Sequence, residues 1–165
     1  MSLLYPDYHF DRIYDITVDK IREMGVSSIL LDVDNTLTLD KGTKPDERTL
    51  KWLDTMRNAG IKMMIISNGK HERLQKFAKT LGLDCRSMAM KPLPFVLRSA
   101  TKQLSSDKKS VMLIGDQIFT DILGANLTGI KSALLTPIQL ETSLSFRIRR
   151  RLERGIRAKL KGERS

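Results

Sequence analysis

Short apolar runs alternate along this chain with segments in which apolar residues recur at helical spacing. The runs are brief and continuous, which is typical of strands buried on both faces of a parallel sheet. They cover residues 28–33, 62–66, 111–114 and, more weakly, 131–135. Strand–helix alternation of this kind predicts an α/β fold, a three-layer sandwich with a central parallel sheet between two layers of helices.

Four segments between or after these runs have helical patterns. The first, residues 45–60, begins with Pro45 and acidic residues and ends at Gly60, which are start and stop signals of a helix. The others cover residues 70–82, 94–104 and 119–129. Ligands of such sheets bind beyond the carboxyl ends of the strands, so the functional residues are expected there.

Polar side chains are concentrated at those strand ends. The first run ends in Asp32 and Asp34, whose side chains share one face of a strand because a single residue separates them. Two like charges held that close indicate either a bound cation or a reaction that uses the two carboxylates differently. The other polar residues at this predicted edge are Ser67, Asn68, Lys91, Asp116 and Asp121. Each alone has an ordinary explanation as a helix cap or a solvated side chain, but their convergence favours a binding site.

In this order, these residues resemble the four motifs of the haloacid dehalogenase (HAD) superfamily of phosphatases, over residues 28–136. The Asp32-Val33-Asp34-Asn35-Thr36 motif and the short basic extension resemble in particular the type IIIA phosphatases of the YqeG family, whose relatives include phosphatidylglycerophosphate phosphatases. The resemblance implies a HAD-like, Rossmannoid fold. It also implies that Asp32 is the nucleophile, which forms an aspartyl-phosphate, and that Asp34 is the general acid and base.

The resemblance further implies a magnesium ion and a phosphate site. The Mg²⁺ ligands would be the Asp32 carboxylate, the Asp34 backbone carbonyl and Asp116, with Asp121 in support. The phosphate oxygens would be held by Ser67, Asn68 and Lys91.

No separate cap domain is expected over this site. Residues 35–66 and 68–90 are mostly taken up by a helix and its connections, and chains below about 40 residues rarely fold alone. In the resembled superfamily, the lack of a cap implies a substrate that is a macromolecule or is held in a membrane.

Composition restricts the class of protein. With 165 residues, 41% of them hydrophobic and 29% charged, the chain suits one globular domain. Its single cysteine, Cys85, excludes an intramolecular disulfide and suits a reducing cytosol. The sequence contains no long uncharged stretch, and we expect a cytoplasmic protein, with peripheral attachment at the inner face of the membrane as a further option.

The formal charge of +10 suggests an anionic partner, and most of it follows residue 146. There the apolar residues recur at every fourth position, namely Ile148, Leu152, Ile156 and Leu160, with Arg147, Arg150, Arg154, Arg157 and Lys161 on the opposite side. A basic amphipathic helix over 146–165 would suit an anionic membrane surface. The alternative is that the apolar stripe packs on the domain itself, while a single aromatic residue, Phe146, argues against nucleic acid.

We therefore predict an N-terminal segment, 1–27, that packs on the core, a catalytic core, 28–136, and a basic helix or tail, 137–165. The predicted function is magnesium-dependent hydrolysis of a phosphomonoester, through an aspartyl-phosphate, on a large or membrane-held substrate such as phosphatidylglycerophosphate. The alternatives are a phosphatase that acts on nucleic acid or phosphoprotein, and a non-catalytic RNA- or ribosome-associated binding protein. Under the membrane hypothesis, removal of the tail should spare the hydrolysis of small soluble esters.

Overall fold

The strands of this chain form one sheet in which every pairing is parallel. The structure, a computed structural model, describes residues 3–105, 107–139 and 144–162. Its strands are β1 (Tyr8–Phe10), β2 (Ser28–Leu31), β3 (Lys62–Ile66), β4 (Asp84–Arg86), β5 (Val111–Gly115) and β6 (Lys131–Leu135). Their order across the sheet is β1-β6-β5-β2-β3-β4, which places the apolar runs in the middle and the two shortest strands at the edges. The predicted fold class is confirmed.

Helices cover both faces of the sheet. They are α1 (Val18–Glu23), α2 (Glu47–Asn58), α3 (His71–Leu81), α4 (Pro94–Leu104), α5 (Leu123–Thr128) and α6 (Leu144–Gly162). Apolar side chains of α1, α2 and α3 pack on one face, and those of α4, α5 and α6 pack on the other. Each central strand is therefore buried on both sides, as its continuous apolar sequence predicts.

The local sequence explains where the main helices begin and what they bury. Asp46 caps α2 by accepting a hydrogen bond from the backbone N–H of Thr49 at 2.7 Å. One turn later, the buried Trp52 indole donates to the carbonyl of Ile16 at 2.7 Å, which ties α2 to the segment before β2. The N-terminal segment thus packs on the core through a polar as well as an apolar contact.

Two strands and two strand ends differ from the sequence-based expectation; β5 continues to Gly115, one residue beyond the predicted run. β1 and β4 were not predicted, because three-residue strands at a sheet edge carry too few apolar residues to show a pattern. β2 ends at Leu31, two residues earlier than expected, although the N–H of Asp32 still donates to the carbonyl of Ile114 at 3.0 Å. This contact holds Asp32 at the carboxyl end of the sheet.

The C-terminal helix α6 is divided between core and solvent. Ile156 and Leu160 pack against Ile118, Ile122 and Leu134, whereas Ile148 and Leu152 are 54% and 64% exposed. Arg157, predicted on the side of the helix opposite the apolar stripe, nevertheless contacts the domain, because it donates to the backbone carbonyls of Leu135 and Asp116. The side chains of Arg147, Arg150 and Lys161 lie outside the described part of the chain.

The two stretches that were considered for a cap contain little besides core elements. Between Asp34 and Ser67 lie α2 and β3, and between Ser67 and Lys91 lie α3 and β4. Within the described ranges, no second folded unit stands over the carboxyl edge of the sheet. Among those same residues, no helix has the length and apolar character needed to cross a membrane.

Candidate active site

The predicted site residues lie together at the carboxyl ends of β2, β3 and β5, where a cleft of 570 Å³ opens to solvent. Its walls come from the loops that follow these strands and from the loop before α4. The cleft is lined by Asp32, Asp34, Asp40, Lys41, Ser67, Asn68, Gly69, Lys70, Arg73, Lys91, Gln117 and Thr120. Asp116 and Asp121 are fully buried beside it.

A buried lysine joins two of the carboxylates. The Lys91 ammonium group donates to Asp32 Oδ1 at 2.8 Å and to Asp121 Oδ1 at 2.6 Å, and its third bond goes to the carbonyl of Ile66 at 3.1 Å. All three N–H donors of the ammonium therefore have partners, as a buried cation requires. Lys91 is buried, so it is not the solvated surface lysine that the sequence alone would also allow.

The pKa values of this pair reflect burial and mutual attraction. Burial raises the pKa of Asp32 from 3.8 to about 6; Lys91 opposes the rise, while Asp121 and Asp34 add to it. Burial alone would lower the pKa of Lys91, but Asp121 and Asp32 together raise it above its usual value. Lys91 is thus a cation throughout the neutral range, and ionisation of Asp32 costs more free energy in the folded protein than in water.

The chemistry of the donor set fits a divalent cation. Asp32, Asp116 and Asp121 are buried. Each offers one carboxylate oxygen, and these three oxygens lie within 4.8 Å of one another. Lys91 contacts two of these three carboxylates, Asp32 and Asp121. Carboxylate oxygens suit hard ions such as Mg²⁺. These three residues would hold the cation, and the Asp34 carboxylate is not part of the cluster.

The second aspartate of the motif is held by two other residues that line the cleft, Arg73 and Lys41. Asp34 Oδ2 accepts from the Arg73 guanidinium at 2.5 Å, and Asp34 Oδ1 accepts from the backbone N–H of Lys41 at 2.8 Å. Arg73 lies in the first turn of α3 and was missed by the sequence analysis. The only signal was its position, five residues after Asn68 and near the start of the predicted helix 70–82. The two aspartates are therefore near neighbours in different surroundings, one against a lysine in the core and one against an arginine at the cleft.

The loops after β3 and β4 are fastened to each other. The Asn68 side chain donates to the Lys91 carbonyl at 2.9 Å and accepts from the Lys91 N–H at 2.7 Å, and Ser67 lies buried beside them. Ser67 is not the cap of α3, since that position belongs to Lys70. These bonds use one of the two N–H donors of the Asn68 amide, so the second donor and the backbone N–H are left for a phosphate contact. Asn68 thereby fixes the loop that delivers Lys91.

A π-helical turn, Ile118–Ile122, delivers Asp121. Asp121 Oδ2 accepts from the backbone N–H of Gln117 at 3.0 Å, and the carboxylate lies directly against the α-carbon of Gly115. A Cβ at Gly115 would come within 2.3 Å of Asp121 Oδ2. The glycine that ends β5 is therefore required for close approach, a role that the sequence did not disclose.

Helix α6 reaches the same loop through Glu153, another residue that the sequence analysis missed. Its buried carboxylate accepts from the N–H of Ile118 at 2.8 Å and from Arg157 Nε at 3.2 Å. Arg157 in turn donates to the backbone carbonyls of Asp116 and Leu135. A single acidic residue in an arginine-rich helix, four positions before an arginine, was the available signal.

Apolar side chains are exposed on the loop that carries Lys91 and at the start of α4. Met88, Met90, Leu93 and Phe95 are each at least 47% exposed, while Ala89 and Lys91 between them point inward. We call these four exposed residues the apolar rim. The N–H groups of Met88 and Ala89 donate to the carbonyls of Gly69 and Ser67, so the rim stands on a fastened loop beside the cleft.

Comparisons with known proteins agree with this geometry. The sequence matches the haloacid dehalogenase-like hydrolase family over residues 10–129. It is 33% identical over 156 residues to "Probable phosphatase YqeG" of Bacillus subtilis (strain 168), which covers 94% of this chain and 91% of that protein.

Solved structures resemble the fold. One is the cobalt-bound form of the deoxy-D-mannose-octulosonate 8-phosphate phosphatase YrbI from Haemophilus influenzae, with a TM-score of 0.55 and 15% identity over 68% of this chain and 69% of that one. Another is a protein from Listeria monocytogenes serotype 4b, with a TM-score of 0.58 and 18% identity over 72% of this chain and 85% of that one. At this level of identity, both likenesses bear on the fold alone.

Proposed function

This chain belongs to the haloacid dehalogenase-like hydrolase family, and we propose that it is a magnesium-dependent phosphatase that acts through an aspartyl-phosphate. The observation that carries the proposal is the buried cluster of Asp32, Asp116 and Asp121 around Lys91, at the base of an open cleft. Such a cluster gives a nucleophile, a cation site and a positive charge for phosphate oxygens in one place. The B. subtilis relative is named a phosphatase, which supports the same reaction.

In the first step, an oxygen of Asp32 attacks phosphorus and the bond to the leaving oxygen breaks. Asp34, oriented by Arg73 and the Lys41 N–H, gives its proton to that leaving oxygen. In the second step, Asp34 takes a proton from water, the water oxygen attacks phosphorus, and the Asp32–phosphorus ester breaks to release phosphate. Bound Mg²⁺ supplies positive charge for the phosphate oxygens.

Lys91 acts on the phosphoryl group through its charge, since its three N–H donors bind protein oxygens, and Ser67 offers a hydroxyl for direct contact. Lys91 contributes a charge that does not titrate near neutrality, because two carboxylates hold its proton. Ser67 lines the cleft, and its hydroxyl oxygen accepts a hydrogen bond from the backbone N–H of Gly69 at 3.3 Å. Charge and hydroxyl at fixed positions stabilise the transferred group without reorganisation during the reaction.

The substrate that we propose is a phosphate monoester of an anionic lipid, with phosphatidylglycerophosphate as the leading example. Support comes from the apolar rim beside an open cleft and from α6, where the described side chains of Ile148, Leu152, Arg151 and Arg154 are exposed. Apolar side chains next to cationic ones suit the interface of an anionic bilayer, where each basic residue contributes about 1 kcal/mol. A head group would then enter the cleft while its acyl chains stay in the membrane.

The test compares phosphate release from four esters at equal concentration: phosphatidylglycerophosphate in vesicles, a 5′-phosphorylated oligonucleotide, a phosphopeptide and a hexose phosphate. We expect Mg²⁺-dependent release, abolished by Asp32→Asn with circular dichroism unchanged, and fastest from the lipid. Preference for the oligonucleotide or the phosphopeptide would overturn the lipid proposal alone. Full activity in EDTA, or in Asp32→Asn, would overturn the mechanism.

A further inference from the structure

We propose that Glu153 and Arg157 of α6 are positioning residues that set the affinity of the site for its cation. This inference rests on the proposed function, because the loop that they hold carries Asp116. We call the contact of these two side chains with residues 116–118 the helix clamp. It joins the C-terminal helix to the loop between β5 and the π-helical turn.

The clamp acts on the backbone immediately beside the cation ligands. Glu153 accepts from the N–H of Ile118, the first residue of the turn that delivers Asp121, and Arg157 donates to the carbonyl of Asp116 itself. The loop is thus gripped on both sides of Gln117. A small displacement of this backbone would move two of the three carboxylates at once.

The contact is buried and built from matched charges. The Glu153 side chain is 1% exposed and the Arg157 side chain 17% exposed, and Arg157 Nε binds Glu153 Oε2 at 3.2 Å. A buried carboxylate without its cation, or a buried guanidinium without its carboxylate, is strongly unfavourable. The pair is therefore expected to keep one arrangement, and that arrangement fixes the loop.

The charged pair is not required to attach α6 to the domain. Ile156 and Leu160 already attach the second half of the helix to Ile118, Ile122 and Leu134. The charged pair beside them fixes the orientation of the helix relative to the loop, because it forms hydrogen bonds with backbone groups at defined positions of that loop. Residues that orient cation ligands from outside typically change metal affinity by about 10- to 100-fold when they are replaced.

The clamp changes what removal of the tail should do. Sequence analysis led us to expect that hydrolysis of small soluble esters survives without the tail. With the clamp in place, a chain cut after residue 143 should bind Mg²⁺ more weakly and lose activity toward every ester at limiting Mg²⁺. The exposed Ile148 and Leu152 belong to the same continuous helix, so a surface that binds them would also act on this loop.

The test measures Mg²⁺ binding to the full chain by titration calorimetry, without any substrate. Glu153→Ala and Arg157→Ala should weaken binding about tenfold or more. Glu153→Gln, which keeps an acceptor for the Ile118 N–H, should lose less. Arg154→Ala is the matched control, because it removes the same charge from an exposed position on the same helix.

Each outcome decides the proposal. Folded Glu153→Ala and Arg157→Ala variants that bind Mg²⁺ as Arg154→Ala does would overturn the clamp, even if their melting temperatures fall. Should an alanine variant fail to fold, Arg157→Lys decides: it keeps the charge but not the planar fork, and unchanged affinity would reject the proposal. If the wild type binds Mg²⁺ but hydrolyses none of the four esters, the proposed phosphatase function is rejected. The Mg²⁺ affinities of the variants then still decide whether the clamp exists. No Mg²⁺ binding by the wild type would reject both.

Discussion

Replacing Asp32 with asparagine should stabilise the cation-free protein at neutral pH. The residue is 4% exposed, and the charge of its carboxylate is balanced in part by a lysine that it shares with Asp121. An amide at this position has no charge to bury, and its oxygen still accepts from Lys91. The substitution removes the nucleophile and, with it, an unfavourable buried charge.

The magnitude follows from the pKa of Asp32. Its folded-state pKa is raised from 3.8 to about 6 by burial. Because its pKa is raised, the contribution of Asp32 to the stability of the folded state is greatest below pH 3.8. It is lost as the pH rises through about 6, because between these values only the folded state still holds the proton. At about 1.36 kcal/mol per pKa unit, the full loss is about 3 kcal/mol. Between about pH 4.5 and about pH 7.5, the loss is about 2 kcal/mol.

The assay is urea denaturation of the wild type and Asp32→Asn in EDTA at several pH values in this range. The difference in free energy of unfolding, variant minus wild type, should grow by about 2 kcal/mol from the acidic to the neutral end. Asp54→Asn, at a side chain that is 68% exposed, is the matched control and should show no such growth. Mg²⁺ should then stabilise the wild type far more than the variant, since it binds the ionised carboxylate.

A difference that does not change with pH would refute the argument that burial raises the pKa of Asp32. Equal stabilisation of both proteins by Mg²⁺ would show that Asp32 is not a ligand. Activity measurements cannot replace this assay, because Asp32→Asn is expected to be inactive under either explanation.

Three further predictions concern neighbouring residues. Gly115→Ala should destabilise the protein by about 1–3 kcal/mol in urea denaturation, because the new Cβ would meet the fastened Asp121 carboxylate; unchanged stability would contradict this contact. Arg73→Ala should slow hydrolysis of alkyl phosphates by about tenfold to a hundredfold, and of nitrophenyl phosphate much less, since it orients Asp34 and good leaving groups need little protonation; equal losses would argue against it. Mg²⁺ at about a hundred times its dissociation constant should stabilise the wild type by about 2.7 kcal/mol, and Asp116→Asn at the same concentration should show little of this gain in a thermal melt.

The sequence was sufficient for the central sheet and for the convergence of the main site residues. The runs of β2, β3 and β5 are apolar throughout, since both faces of these strands are covered, and such runs can be recognised without knowing their partners. Because the polar residues follow those strands directly, their meeting at one edge follows from the parallel topology.

What the sequence did not disclose depends on contacts between distant positions. Arg73 and Asp34 are 39 residues apart, and Glu153 meets Ile118 across 35 residues, so neither pair forms a local pattern. Gly115 gave no signal because its role is to leave space for a particular carboxylate. The edge strands β1 and β4 form because a neighbour offers backbone partners, while their own residues carry no recognisable periodicity.

The pairing of β1 with β6 has a consequence for biosynthesis. Tyr8 lies opposite Ala133, and Asp7 exchanges hydrogen bonds with Ser132 across 125 positions of the chain. As the polypeptide emerges from the ribosome, β2 and β3 can already pair, whereas β1 waits for nearly the whole core to be made. Contacts this far apart in sequence slow folding, because the intervening chain must be closed into a loop first. A nascent chain that stalls before β6 would leave both β1 and the outer edge of β5 open to other strands, so this stage is where a chaperone would be needed most.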